Sequence, residues 1–255
     1  MIDLTICNFS FKNVQENLAL EELMLKDVVS GKMPPVVRTW SNPKCVIMGI
    51  SRSIREDLNV ENILSDKIPI ARRITGGGTV YHDDSTMSYS FFFPWEVLSS
   101  TADRMRSSTE SIKPFLDIII NALGQVGIEG YAQGISDIFV KGKKVSGNAQ
   151  KRTKGGILHH GTILLKADLN SMERYLRIPK ERDGVSHREF VTSLYDLGFR
   201  IPKSEFHKIL TASLTGLGFK LRDFDLALKY PELLERARQL SKTTYEKNNW
   251  IYRRI

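Results

Sequence analysis

Apolar residues recur every three or four positions in two stretches of the chain, which is the spacing of an amphipathic helix. The first stretch follows Asn13, which with Glu16 three positions later has the form of a helix-capping box, and it runs to Gly31. The second stretch covers residues 112–126 and ends before Gly127. Two further helices are predicted in the C-terminal part of the chain, over residues 204–216 and 231–241.

Runs of β-branched and aromatic residues predict the strands. Residues 1–11 are predicted to form a first strand, and residues 36–40 and 45–49 a hairpin of two buried strands. Large apolar residues alternate with mostly small ones over residues 87–93, which predicts a strand that buries one face. A meander of three strands is predicted over residues 137–140, 143–150 and 157–165.

The composition is that of a soluble globular protein in a reducing compartment. Hydrophobic residues make up 41% of the chain and charged residues 26%, and no apolar run reaches the roughly 18 residues that a membrane span needs. The N-terminus lacks the pattern of a signal peptide. Cys7 and Cys45 lie in apolar surroundings and are predicted to be buried thiols. No repeat or linker is visible, so we predict a single domain over residues 1–255, located in the cytoplasm.

The net charge of +8 changes this picture by indicating an acidic partner. The positive charges are scattered along the chain and are not gathered in one arm, which disfavours nucleic acid. An acidic protein surface and a phosphorylated small molecule both remain open.

Three consecutive glycines, residues 76–78, follow the paired arginines Arg72 and Arg73 and precede a short β-branched and aromatic run. Glycine weakens a strand unless another group must approach the backbone closely. Backbone N–H groups without side chains, next to guanidinium groups, suit an anionic ligand such as a phosphate. The alternative is an ordinary surface turn with solvated arginines.

A second unusual stretch lies in the meander. Lys141 and Lys143 are at a hairpin tip, where lysines are usually solvated, but Lys144 lies within the returning strand and is followed by Ser146 and Gly147. Small residues there leave room for a ligand against the strand. The ammonium group of Lys144 can then reach a phosphate or a carbonyl oxygen.

Three further polar residues are candidates for the same site. His159 and His160 are adjacent on one strand, so they point to opposite faces and cannot hold one metal together. One of them can face the site, and the alternative for each is a hydrogen-bonded, half-buried histidine. Asp137 opens the meander and can share a magnesium ion with a ligand phosphate. No Walker loop, G-x-G-x-x-G, CxxC or HExxH motif is present.

Three motifs together resemble the signatures of lipoate–protein ligases. Residues 72–83 read R-R-I-T-G-G-G-T-V-Y-H-D and are similar to R-R-x-[ST]-G-G-G-[AT]-V-[FY]-H-D of that family. Residues 144–149, K-V-S-G-N-A, resemble K-[IV]-[ST]-G-[NS]-A, and residues 159–162 resemble H-H-G-T. Residues 249–252 look like the W-N-[FY] ending of the ligase catalytic domain, so the resemblance covers most of the chain.

The resemblance implies an α/β fold with mixed, largely antiparallel sheets and flanking helices, shared with biotin ligases. It also implies a two-step reaction. Lipoate and ATP form lipoyl-adenylate and pyrophosphate, and the amine of a lysine on a carrier protein then displaces AMP. The expected partner is a lipoyl domain or a protein like the glycine-cleavage H protein. Neither a membrane nor a nucleic acid is an expected partner.

The resemblance also assigns roles to residues. Lys144 would be catalytic and would bridge phosphate and carbonyl oxygens, and Asp137 would bind Mg²⁺. Arg73 and residues 76–78 would lie along the lipoyl and phosphate portions, and Trp40 would wall the dithiolane and alkyl tail. The residues implied to bind the lipoyl group or ATP are Trp40, Arg73, Gly76, Gly77, Gly78, Thr79, Val80, Tyr81, His82, Ser146, Gly147, Asn148, Ala149, Lys151, His160, Gly161 and Thr162.

The chain departs from the family pattern in three places. The family commonly continues H-D-x-G-N-x-N after the glycines, whereas residues 82–88 read H-D-D-S-T-M-S. Residues 134–137 read G-I-S-D in place of G-R-N-D. The chain also stops where the catalytic domain of longer ligases ends. The resemblance therefore implies that the C-terminal accessory domain is absent and that a separate small protein can supply its function.

Two alternative functions remain. A cysteine-dependent octanoyl- or lipoyl-transferase of the same fold would need a thiol ahead of the meander, and residues 134–136 offer none. A non-catalytic homologue that binds lipoyl groups or nucleotides is suggested by the altered segments beside the implied adenine and metal sites.

Overall fold

The computed structural model describes residues 3–101, 107, 109–179, 182 and 184–254. The strands of this described part form one sheet of eight strands and one of three. They are β1 (Asp3–Asn8), β2 (Val36–Trp40), β3 (Cys45–Met48), β4 (Ile70–Arg72), β5 (Val80–His82), β6 (Thr86–Pro94), β7 (Gly130–Gln133), β8 (Asp137–Val140), β9 (Lys143–Arg152), β10 (Gly156–Leu164) and β11 (Lys220–Asp223).

Four helices were predicted, two from apolar spacing and two in the C-terminal part of the chain, and all four are confirmed: α1 (Val14–Val29), α4 (Lys113–Gly124), α7 (Lys203–Gly216) and α9 (Pro231–Leu240). At the start of α1, Asn13 Oδ1 accepts hydrogen bonds from the backbone N–H groups of Gln15 at 2.7 Å and Glu16 at 3.4 Å. The helices are α1 (Val14–Val29), α2 (Ile54–Asp57), α3 (Val60–Ser65), α4 (Lys113–Gly124), α5 (Leu169–Tyr175), α6 (His187–Phe190), α7 (Lys203–Gly216), α8 (Leu226–Lys229), α9 (Pro231–Leu240) and α10 (Asn248–Ile251), with a 3-10 helix at Trp95–Thr101 and a π-helix at Ser241–Tyr245.

The large sheet has the order β11-β1-β2-β6-β10-β9-β8-β7. Strand β1 pairs in parallel with β2 and β11, and the remaining pairs are antiparallel. The sheet is therefore mixed and largely antiparallel, as the sequence resemblance implied.

Strand β6 crosses the core between two layers of helices. Phe91 and Phe93 pack in one apolar cluster with Phe115 of α4. Phe92 packs in another cluster with Leu20 of α1 and Leu233 of α9. Every residue from Thr86 to Phe93 is buried, so the prediction that this strand buries only one face was wrong. Helices cover both faces of the sheet at this strand, which removes the solvent-facing side.

The predicted hairpin of residues 36–40 and 45–49 was also wrong. Both strands exist, but β2 pairs with β1 and β6 in the large sheet, whereas β3 lies between β4 and β5 in the small sheet. The turn between them moves the chain from one sheet to the other. Strands β7 and β11 were not predicted, because most of their side chains are exposed and leave no apolar alternation. The predicted first strand is shorter, and its first two residues lie outside the described part.

Candidate active site

A cavity of about 360 Å³ lies between residues of the two sheets, within the size range of ligand pockets. Most of the residues implied to bind ligand line it. Those lining it are Trp40, Arg73, Gly77, Gly78, Thr79, Val80, His82, Asp137, Lys144, Gly147, Asn148, Ala149, His160, Gly161 and Thr162. The lining does not include Gly76, Tyr81, Ser146 and Lys151.

Arg73 organises the glycine loop, which we define as residues 76–78. It is 6% exposed, and one guanidinium nitrogen, Nη2, donates to Gly76 O at 2.7 Å and Gly78 O at 2.8 Å. Its Nε donates to Thr75 Oγ1 at 2.8 Å. Burial lowers the pKa of Arg73 to about 10. This value is still well above neutral pH, so the guanidinium stays charged there. The positive charge of Arg73 therefore lies beside the cavity. The carbonyl groups of the glycine loop use much of the hydrogen-bonding capacity of its guanidinium group.

Arg72 does not share this role. Its side chain is fully buried and donates from Nε to Ile251 O and from Nη1 to Gly49 O, both at 2.9 Å. In return, Trp250 Nε1 donates to Arg72 O at 2.9 Å. The initial interpretation that both arginines flank an anionic ligand was therefore wrong for Arg72, because its guanidinium holds α10 against the small sheet.

The backbone of the glycine loop passes very close to Gly49. Gly77 has φ +82°, a conformation that favours glycine, and a Cβ on Gly49 would overlap Gly77 O and lie 3.2 Å from Gly76 O. Both neighbours are backbone atoms, so they cannot rotate away as a flexible side chain would. The glycine loop thus needs a glycine on the neighbouring segment as well as within itself.

We expect Gly49→Ala to lower the free energy of unfolding by about 1–3 kcal/mol, because the added methyl group must displace loop backbone. Gly76→Ala is the matched control, since a Cβ there meets nothing within 4 Å. Denaturant unfolding of both variants measures the difference. Equal stability of the two variants would contradict the close approach.

Lys144 and Asp137 form an ion pair at the polar end of the cavity. The distance from Lys144 Nζ to Asp137 Oδ1 is 2.9 Å, and the two side chains are 23% and 22% exposed. A Cβ on Gly147 would lie 3.0 Å from Lys144 Nζ. Gly147 therefore leaves space for the ammonium group to lie over the strand and face the cavity.

The two histidines of β10 point in opposite directions, as predicted. His159 is fully buried and stacks on Phe115 with ring centroids 4.4 Å apart, and burial holds its pKa well below the ordinary value. His160 lines the cavity, where its Nε2 lies 2.8 Å from Thr75 Oγ1. His159 Nε2 lies 3.1 Å from Asn148 Oδ1, so it orients a residue that lines the cavity.

Asn148 is held from several sides. Its Oδ1 accepts from Tyr89 OH at 2.6 Å, and its Nδ2 donates to Ser136 O at 2.9 Å. A Cβ on Gly161 would overlap Asn148 Oδ1 and lie 2.5 Å from Tyr89 OH, which explains the glycine in the H-H-G-T motif. Ser146 is buried beneath this group, with its Oγ 3.1 Å from Tyr89 OH. Ser146 Oγ also accepts from Asn148 Nδ2 at 3.3 Å, so Ser146 supports Asn148 both directly and through Tyr89 and does not itself line the cavity.

The side chains of Tyr81 and Lys151 lie away from the cavity, although the resemblance implies that Tyr81 would contact the ligand through main-chain groups. Tyr81 packs against Tyr175, with ring centroids 5.5 Å apart, in the apolar cluster behind the small sheet. Lys151 lines a second cavity together with Lys26 and Trp250. The structure thus separates the Lys151 side chain from the other residues of the implied site.

Several cavity residues are not among those implied by the motifs. Arg52 Nε donates to Asp57 Oδ2 at 2.8 Å, the same carboxylate also accepts from the Thr79 hydroxyl, and Arg52 and Asp57 both line the cavity.

Glu21 is 1% exposed and binds His160 from behind the cavity wall. Its sequence signal is a charged residue within the apolar stripe of α1, which is costly to bury without partners.

Among the described residues, no helix is long and apolar enough to cross a membrane.

The family model of the lipoyl protein ligase A/B catalytic domain matches residues 13–215. The chain belongs to this family. Lipoate-protein ligase LplJ of Bacillus subtilis is 29% identical over 260 residues, covering 98% of this chain and 74% of that protein. Lipoate–protein ligase 1 of Plasmodium falciparum is 31% identical over 189 residues, covering 69% of this chain and 43% of that protein.

Solved structures of lipoate–protein ligases have the same fold. A bi-partite ligase of Thermoplasma acidophilum superposes with a TM-score of 0.83 at 22% identity, covering 99% of this chain and 97% of that one. A lipoate-protein ligase A with bound ATP superposes with a TM-score of 0.78 at 22% identity, covering 98% of both chains. The predicted family, fold class and enzyme class, a lipoate–protein ligase, are confirmed.

Proposed function

We propose that this chain is an ATP-dependent ligase that forms lipoyl-AMP and transfers the lipoyl group to a specific lysine of a lipoyl-carrier protein. The observation that carries the proposal is that one cavity is lined by Lys144, Gly77 and Gly78 and also by the apolar residues Leu18, Trp40 and Ile47, which divides its lining into a polar and an apolar part. An acyl-adenylate has the same division, with an apolar chain joined to a phosphate.

The apolar side of the cavity suits the lipoyl tail. Leu18, Trp40 and Ile47 all line it and are buried. Trp40 Nε1 donates to Ser90 Oγ at 2.8 Å, so the indole is held in one orientation. An alkyl chain with a dithiolane ring would gain affinity by leaving water for this surface.

In the first step, a carboxylate oxygen of lipoate attacks the α-phosphorus of ATP, and the bond to pyrophosphate breaks. Charge builds on the phosphate oxygens as this happens, and we assign its stabilisation to the Lys144 ammonium group and to backbone N–H groups of the glycine loop. In the second step, the amine of the carrier lysine attacks the carbonyl carbon and AMP leaves. The adenylate is already activated, so holding the two reactants together supplies much of the rate.

Asp137 is the residue that would hold Mg²⁺. The described residues contain no cluster of three or more histidine, cysteine or carboxylate side chains that fits a metal. A single carboxylate on the cavity wall nevertheless suits Mg²⁺, which is often bound by one or two carboxylates together with substrate phosphates and water. When bound, Mg²⁺ would neutralise phosphate charge during the departure of pyrophosphate.

Solved relatives of the same fold support both substrates. One is a lipoate-protein ligase A bound with ATP, and another is a putative ligase of T. acidophilum with bound lipoic acid. The T. acidophilum bi-partite ligase is described together with its E2 lipoyl domain. By analogy we propose a lipoyl domain or a glycine-cleavage H-like protein as the carrier, and a separate accessory subunit. Independently of these relatives, we propose that residues 1–255 form a single domain that acts in the cytoplasm.

The burial of both cysteine thiols of the chain disfavours a cysteine-dependent transferase. Cys7 and Cys45 are fully buried, and neither lines the cavity. Burial raises the pKa of the Cys7 thiol to about 12 and also raises that of Cys45. A nucleophilic thiolate would need access to substrate and a lowered pKa.

The test is to incubate the purified chain with ATP, Mg²⁺, lipoate and a lipoyl domain and to weigh the domain by mass spectrometry. We expect a lipoyl adduct only when ATP is present, and none on a domain whose target lysine is replaced by arginine. A parallel reaction starts from preformed lipoyl-AMP, so that a missing accessory subunit for adenylation is not mistaken for inactivity. An adduct from a lipoylated or octanoylated donor without ATP would indicate a transferase. No adduct even from lipoyl-AMP would indicate a binding protein.

A further inference from the structure

A continuous line of hydrogen bonds connects the glycine loop to the buried carboxylate of Glu21 on α1. His160 Nδ1 lies 2.9 Å from Glu21 Oε1 and 3.0 Å from Oε2. On the other side of the ring, His160 Nε2 lies 2.8 Å from Thr75 Oγ1. Thr75 Oγ1 accepts in turn from Arg73 Nε at 2.8 Å, and Arg73 holds the carbonyls of Gly76 and Gly78.

The donors and acceptors in this line are matched by one arrangement of protons. Arg73 can only donate, so the Thr75 oxygen accepts from it and uses its single hydrogen as a donor to His160 Nε2. His160 Nε2 must therefore carry no proton, and Nδ1 must carry the proton that is donated to Glu21. With a proton on Nε2, the hydroxyl hydrogen of Thr75 would lose its acceptor in a fully buried place.

Glu21 is kept ionised despite its burial. Burial alone raises the pKa of the carboxyl group, but the contacts with His160 and Ser90 and the nearby charge of Arg38 outweigh it, so the pKa lies below the ordinary value. The carboxylate therefore acts as a fixed acceptor at neutral pH.

A second branch leaves the same carboxylate towards the acyl side of the cavity. Ser90 Oγ donates to Glu21 Oε1 at 2.6 Å and accepts from Trp40 Nε1 at 2.8 Å. Glu21 thus holds the wall proposed for the lipoyl tail through Ser90, and the glycine loop through His160. The two branches can be broken separately.

We propose that Glu21 is a positioning residue for the adenylation step: it fixes the Nδ1–H form of His160, and through Thr75 and Arg73 it holds the glycine loop in the shape that receives ATP. This role rests on the proposed function, because it names what sets the geometry of that site. Glu21 does not line the cavity, so its effect on ATP must pass through the other residues of the line.

The variant Glu21→Gln tests the tautomer with little change of volume. If the amide oxygen keeps the bond from Ser90, the amide N–H₂ faces His160 Nδ1 and needs an acceptor there. This favours the Nε2–H form, which leaves the Thr75 hydroxyl without its acceptor. Thr75→Val breaks the loop branch directly, and Ser90→Ala breaks only the branch to Trp40.

We expect Glu21→Gln and Thr75→Val each to lower kcat/KM for ATP in lipoyl-AMP formation by about tenfold, a size that coupling between hydrogen-bonded neighbours reaches. The kcat/KM of the double variant should be no lower than that of the less active single variant, because both substitutions break the same line of hydrogen bonds. Ser90→Ala should raise KM for lipoate and leave KM for ATP unchanged. Additive losses in the double variant, or an unchanged kcat/KM for ATP in both single variants, would overturn the proposal.

Nuclear magnetic resonance of ¹⁵N-histidine-labelled protein gives a readout that does not depend on activity. The wild-type spectrum should show His160 with a proton on Nδ1 only, and Glu21→Gln should move it towards Nε2. The amide signals of the glycine loop should shift in Glu21→Gln and Thr75→Val but not in Ser90→Ala. A merely structural Glu21 would lower the melting temperature and leave the tautomer of the folded protein unchanged, which would overturn the proposal.

These measurements also separate two kinds of failure. If wild-type protein forms no lipoyl-AMP and also transfers nothing from preformed lipoyl-AMP, the proposed function fails, while the tautomer and loop signals still decide the role of Glu21. If Glu21→Gln does not fold, the wild-type tautomer of His160 and the kcat/KM for ATP of Thr75→Val carry the test, and a proton on Nε2 in the wild type would overturn the proposal.

Discussion

Replacing Lys144 with alanine should lower the rate of lipoyl-AMP formation by about 10²- to 10³-fold, the usual loss when one preorganised group that stabilises transition-state charge is removed. The ammonium group is 2.9 Å from Asp137 Oδ1 on the cavity wall, and the Lys144 side chain is only 23% exposed. A partly shielded charge stabilises developing phosphate charge more strongly than one in open water. Release of pyrophosphate from ATP in the presence of lipoate measures this step.

Lys143→Ala is the matched control for Lys144→Ala. Lys143 is the preceding residue of β9, does not line the cavity, and donates from Nζ to Arg188 O at 2.9 Å. The variant Lys143→Ala therefore removes the same charge from the same strand without touching the site, and the rate of lipoyl-AMP formation should change little. Lys144→Arg keeps the charge but replaces a compact ammonium group with a planar fork, so we expect a partial loss. Unchanged pyrophosphate release in Lys144→Ala would contradict the ligase mechanism.

The sequence indicated the residues that line this cavity more accurately than it predicted which strands pair. The glycine loop and Lys144 were found because three adjacent glycines, and a lysine followed by small residues, are locally unusual. Asn148 and His160 were implied by the motifs. Each of these signals lies within a few residues of chain, and the structure brings them to one cavity.

Strand pairing could not be predicted in the same way. The apolar run of β3 indicates a buried strand but carries no information on whether β2 or β4 lies beside it. A short turn between two strands favours a hairpin, and here the chain changes sheets instead. Pairing depends on residues distant in sequence, which local patterns do not describe.

The role of Arg72 and the position of Glu21 were missed for a related reason. Two adjacent arginines look alike in sequence, but only Arg73 lines the cavity, while Arg72 binds carbonyls of Gly49 and Ile251. Glu21 lies in an apolar helix face, and its partner His160 is 139 positions away in sequence. The charge of a buried residue becomes interpretable only when the groups that compensate it are known.

Replacing Asp137 with asparagine should lower lipoyl-AMP formation by about 10²-fold at low Mg²⁺, with a smaller loss at high Mg²⁺. Asparagine keeps the shape of the side chain and removes the negative charge that would attract the ion. The measurement is pyrophosphate release over a range of Mg²⁺ concentrations. Asp117→Asn is the control, because Asp117 is an exposed residue of α4 paired with Lys113.

Asp137 has a second role that this experiment must separate from metal binding, since its carboxylate also holds Lys144. If loss of the metal dominates, the Mg²⁺ concentration at half-maximal rate rises and transfer from preformed lipoyl-AMP is nearly unaffected, because no pyrophosphate departs in that step. If release of Lys144 dominates, both steps slow together and the Mg²⁺ dependence keeps its midpoint. The second outcome would contradict Asp137 as the magnesium ligand, and it would make the carboxylate a partner that orients Lys144 in both steps.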